Sequence, residues 1–136
     1  MFKARLKKIV RDNANKDYPK KLDITAPSTG IAMINSACGY NAVHAVKSGM
    51  AAGVIEVVVV DDESCTAHYV NLMTNGDIVD FTLGWSWAGA DYRLVRYVHP
   101  DEYGKINECL SNLKSQLCYG LPWYFGVSPL TKWDLC

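Results

Sequence analysis

Phe2, Leu6, Ile9 and Val10 recur at helical spacing among basic residues, which predicts an amphipathic helix over residues 2–13. Asp17 to Gly30, with Pro19, Pro27 and Gly30, reads as irregular connection. Ala42, Ala45 and Val46 form a second apolar stripe. With Ser36 as N-cap and Gly49 as stop, they predict a helix over 37–48. After Gly49 the period changes. Val54–Val60 is rich in β-branched residues, Ala67–Met73 and Ile78–Leu83 flank a turn containing Asn75 and Gly76, and Tyr92–Val98 reads as a further strand. Pro100 lies near the start of a last helix carrying Ile106, Cys109, Leu110, Leu113 and Leu117 on one face, with Gly120 and Pro122 as its stop. Trp123, Tyr124, Phe125 and Trp133 make the tail aromatic enough to pack on the body. Helices at the ends around an antiparallel meander give an α+β class.

A chain of 136 residues with 49% hydrophobic and 21% charged residues is a single globular domain, residues 1–136, long enough to build a core without metals or disulfides. The longest apolar run, Val57–Val60 with Val54 and Ile55 before it, is strand-sized, so no bilayer span and no membrane partner is expected. The opening MFKARLKKIVRD lacks the continuous apolar stretch of a secretory signal. Five cysteines, at 38, 65, 109, 118 and 136, are an odd number at irregular spacing and fit a reducing compartment. The expected location is therefore cytoplasmic.

Charge is balanced overall but not along the chain. Residues 1–21 carry eight Lys/Arg against two acids, and residues 22–136 carry six against twelve. The basic helix either pairs with the acidic body or offers a surface to nucleic acid or an acidic protein. Without clustered aromatics or a known motif, nucleic acid is not the expected partner.

Cys38 falls in the first turn of the second helix, where unpaired N–H groups and the helix dipole stabilise a thiolate. Its own N–H is free to hold an oxyanion. His68 and Asp80 lie in consecutive antiparallel strands, the one early in its strand and the other late. Two loops fit the turn between them. A two-residue Asn75-Gly76 turn puts His68 and Asp80 on opposite faces. A three-residue Thr74-Asn75-Gly76 loop pairs 80 with 70 and 82 with 68, making the two diagonal neighbours roughly 7 Å apart at Cβ.

The segments NSACGYNAVHAVKSG, AHYVNL and NGDIVDFTLGW resemble the three active-site motifs of the papain-like superfamily in its broad sense, including transglutaminase-like proteins and bacteriocin-processing cysteine peptidases. The resemblance covers residues 35–85. It implies a papain-like fold and a catalytic triad, with Cys38 as nucleophile, His68 as base and Asp80 as orienting carboxylate. This in turn requires the three-residue loop. The implied activity is a thiol-dependent hydrolase or acyltransferase acting on an amide bond of a protein or peptide, with no cofactor. The family's Gln six residues before the Cys is Ala32 here. Asn35 is a candidate replacement amide for the oxyanion and equally a helix-start residue. Trp85 and Trp87 are candidates to wall a substrate cleft, or to pack.

Two rivals remain. Cys65 and His68, at Cys-x-x-His spacing, form with Cys38 and Asp80 a four-ligand set for zinc. A non-enzymatic binding module on the same fold, using the basic amino-terminal helix, is the other. His44 reads as structural and His99 as a capping residue before Pro100.

Overall fold

Leu6, Val10 and Ala14, spaced four apart, are the buried seam of α1 (Phe2–Asp17), which runs past the expected end at residue 13. The computed structural model describes residues 2–25, 38–61, 65–82 and 90–121. After α1 come β1 (Lys21–Leu22), α2 (Cys38–Lys47), β2 (Gly53–Val60), β3 (Cys65–Leu72), β4 (Ile78–Val79) and β5 (Asp91–Val98). A 3-10 helix, Pro100–Lys105, leads into α3 (Ile106–Leu117). His99 caps this turn as expected: its Nδ1 accepts the Asp101 N–H, while Glu102 accepts the His99 N–H. The described residues thus form an α+β architecture of three α-helices and one five-stranded antiparallel sheet.

The expected meander holds only for β2, β3 and β4. Strand order is β1-β5-β2-β3-β4, so β5 returns to pair with the free edge of β2. The reason lies in β2 itself. From Val54 to Val60 every residue is buried, and a run without alternation needs cover on both faces. A meander would have left that run at an edge. β1 falls in a stretch expected to be irregular, where Lys21 and Leu22 pair with Arg93 and Tyr92. Thr25, just beyond, forms a parallel bridge to Val79 and donates its N–H to the Ile78 carbonyl at 2.7 Å. The sheet is curled, and its two edges are joined at this point.

Curling separates an outer core from an inner one, with a smaller third cluster of Ala45, Ala51, Val79 and Phe81. Outside, β2 and β3 present Val54, Val58, Ala67 and Tyr69 to Leu6 and Val10 of α1, to Ala42 and Val43 of α2, and to Leu110, Leu113 and Leu117 of α3. Inside, Ile55, Val57 and Val59 meet Val70 and Tyr92. Each such aliphatic side chain contributes about 1.5–3 kcal/mol by leaving water.

The β3–β4 hairpin has the register the triad needs. Asn71 faces Val79 and Leu72 faces Ile78, so Met73 opposes Asp77 across a three-residue loop. Gly76 has φ +92°, a left-handed conformation that a residue with a Cβ adopts poorly. The Asn75 side chain accepts the Asp77 N–H and fixes the turn. β4, expected to continue to Leu83, ends after Val79, because the Asp80 carboxylate captures the Thr82 N–H at 3.0 Å and folds the chain into a turn.

Candidate active site

β3 stays paired with β2 throughout, but the early end of β4 leaves its other side without a strand partner from Val70 back towards Cys65, and α2 fills the gap. Antiparallel pairing would have matched Tyr69 with Phe81, but the Tyr69 N–H instead donates to the sulfur of Cys38. Two amides hold α2 in this position. Asn71 Nδ2 donates to the Ala42 carbonyl at 2.9 Å and to the Gly53 carbonyl at 3.1 Å. Asn41 Nδ2 donates to Thr82 Oγ1 at 2.9 Å, joining the helix to the turn that carries Asp80. Gly39 lets α3 approach closely, since a Cβ there would lie 3.1 Å from both Ile106 Cγ2 and Asn107 Oδ1.

The structure brings Cys38, His68 and Asp80 together. His68 stands on the inner face of β3, opposite Val57, and is 4% exposed. Its Nε2 donates to Asp80 Oδ2 at 2.9 Å, and its side chain is hydrogen-bonded to Cys38, leaving Nδ1 for the sulfur. Asp80 is fully buried. Besides His68 it accepts from the Thr82 N–H on Oδ1 and from the Tyr92 hydroxyl on Oδ2 at 2.8 Å.

Burial works against charge on Cys38 and on His68, and the contacts overcome it. For Cys38, burial pushes the thiol up. The hydrogen bond and positive charge of His68, with the N–H groups of Tyr69 and Gly39, more than reverse this and hold it below the ordinary value. For His68, burial favours the neutral ring, yet hydrogen bonds to Asp80 and Cys38 and their charges push it up to about 9. Both shifts run in the direction that favours a thiolate beside an imidazolium.

The other described thiols differ. Cys65 is 1% exposed, and burial pushes it up to about 12. Cys109 was expected on the apolar face of α3, but that face is Ile106, Leu110, Leu113 and Leu117. Cys109 is only half-buried, its Sγ 3.7 Å from Glu102, and burial raises its pKa. The rival zinc set is not assembled: Cys65 faces the outer core and His68 the inner face. Among the described residues no cluster of three or more His, Cys, Asp or Glu suits a metal. His44 stacks on Tyr40 on the exposed side of α2, with ring centroids 5.9 Å apart. A cavity of about 390 Å³ opens there between α2 and α3, lined by Tyr40, His44, Tyr103 and Asn107 among others. None of the three assembled residues lines it. Asn35, Trp85 and Trp87 lie outside the described residues, as do Ser36 and Ala32.

The sequence reading missed Tyr92, the Tyr69 N–H, Asn41 and Asn71. Asn41 carried a signal, as an amide beside the apolar stripe of its helix. Tyr92 carried none, because its contact with Asp80 exists only once the sheet curls. The chain matches no protein-family model, and neither curated proteins nor solved structures gave a match.

Proposed function

We propose that this chain is a cysteine-dependent acyl-transfer enzyme of papain-like type, acting on an amide bond in a peptide or protein. The observation that carries the reading is the placement of one imidazole between a thiol with a depressed pKa and a fully buried carboxylate. Purely structural roles do not call for this combination. A buried histidine can be satisfied by any donor and acceptor, backbone groups included, and most free cysteines are inert apolar fillers.

In the reaction, the Cys38 thiolate attacks the amide carbonyl and forms the C–S bond. The Cys38 N–H, in the first turn of α2, donates to the oxyanion in this reading. His68 gives its Nδ1 proton to the departing amine as the C–N bond breaks. Neutral His68 then takes a proton from water or an acceptor amine, which attacks the thioester and frees the thiolate. Asp80 keeps the other imidazole nitrogen protonated throughout, fixing the tautomer and stabilising the charged ring.

The test is competitive alkylation of the native chain with iodoacetamide at neutral pH, with each modified thiol located by mass spectrometry. Cys38 should react first and Cys65 last among the described thiols. Equal labelling of Cys38 and Cys109 would refute the reading.

A further inference from the structure

Tyr92 comes from β5, which meets β2 and not the β3–β4 hairpin, yet the curl of the sheet carries its hydroxyl onto Asp80 at 2.8 Å. The residue is 4% exposed, and its ring belongs to the inner core with Val57, Val59 and Val70. His68 and Tyr92 both donate to Oδ2 of Asp80. Core packing alone would be satisfied by phenylalanine. The hydroxyl is therefore the part that needs an explanation.

We propose that Tyr92 is a positioning residue of this site: its hydroxyl shares the Asp80 oxygen that holds the imidazole, and so sets how firmly the imidazolium is retained. The proposal rests on the triad reading above. A phenol donates more strongly to a lone carboxylate than to one whose charge is already shared with a cation. The bond therefore stabilises the neutral-imidazole state more than the charged one, and makes His68 readier to release its proton to a leaving group. Among the described residues, the titratable groups that meet His68 are Asp80 and, from α2, Cys38. β2 presents uncharged Val57 opposite it, and the turn after β4 supplies the Thr82 N–H.

The experiment follows the rate of Cys38 alkylation by iodoacetamide against pH in the full chain, reading the upper step at which the imidazolium loses its proton. Tyr92→Phe should move this step upward by about one pH unit. Placing 3-fluorotyrosine at position 92 keeps the ring and makes the phenol a stronger donor, so it should move the step downward while the fold is kept. Opposite shifts support the proposal, since loosened packing would not reverse with the acidity of the phenol. Steps that coincide with the parent, or that move the same way in both variants, overturn it and leave the triad standing. A parent chain in which Cys38 shows no step and labels like Cys109 overturns both.

Discussion

Replacing Asp80 by asparagine changes one atom and reverses the hydrogen-bonding sense at the imidazole. Oδ2 accepts from His68 Nε2 and from Tyr92, whereas an amide NH₂ in its place donates. Nε2 must then become an acceptor, which moves the ring proton to Nδ1 and leaves no base facing the thiol. The loss of charge can be sized from His68. Burial favours the neutral ring, and Asp80 supplies the largest of the effects that carry it from 6.5 to about 9. Removing them lowers the value from about 9 towards 6.5, with the Cys38 contacts retaining part of the shift, a loss of at most roughly 3 kcal/mol at 1.36 kcal/mol per unit. The thiolate–imidazolium pair should become scarcer at neutral pH, by up to about two orders of magnitude. The assay is the rate of Cys38 alkylation at pH 7 in Asp80→Asn, beside a urea melt. Stability should fall by about 1–3 kcal/mol, because the Thr82 N–H and the Tyr92 hydroxyl can still be paired. A folded variant alkylated at the parental rate, with an unchanged pH profile, would refute the reasoning.

The same pair gives a pH signature of stability. His68, raised in the folded chain, contributes stability present below 6.5 and lost as pH rises through about 9; Cys38, depressed, contributes stability present above its ordinary 9 and lost as pH falls through its folded value. Between the folded Cys38 value and about 9 the two offset, so urea melts of the parent should change less with pH there than those of Cys38→Ser, which keeps only the loss from His68. Gly76→Val should cost about 1–3 kcal/mol through its positive φ alone, since nothing lies within 4 Å of a Cβ at that site; an unchanged melting temperature would contradict the loop assignment. Gly39→Ala should push α2 from α3 and cost about 1–3 kcal/mol, with a drop in Cys38 reactivity as its sulfur leaves the Tyr69 N–H.

The grouping of Cys38, His68 and Asp80 was legible because each lies on a local pattern: Cys38 at a helix start, His68 and Asp80 flanking a turn whose Gly76 permits only certain loops. The three-residue loop was read correctly for a reason of function, since the local residues fit two loops equally well. What was illegible depends on contacts distant in sequence. Nothing near Tyr92 indicates a carboxylate, and Lys21–Leu22 is too short for a period to register. The place of β5 beside β2 is different. The unbroken burial of Val57–Val60 implied a central strand, and the signal went unused because a meander is the simpler path.

The bridge from Thr25 to Val79 also bears on how the protein behaves when crowded. Both outer strands, β1 and β4, have two residues each, and Thr25, just after β1, bridges to Val79 of β4. Such edges offer little for another chain to pair with. The segment with the strongest tendency to build intermolecular sheets is Val57–Val60, uncharged and β-branched, and it sits two strands from either edge. Fraying of an edge strand does not release it; β3 or β5 must also detach. Fibril or precipitate formation should therefore follow the global unfolding equilibrium, rising steeply only near the melting transition.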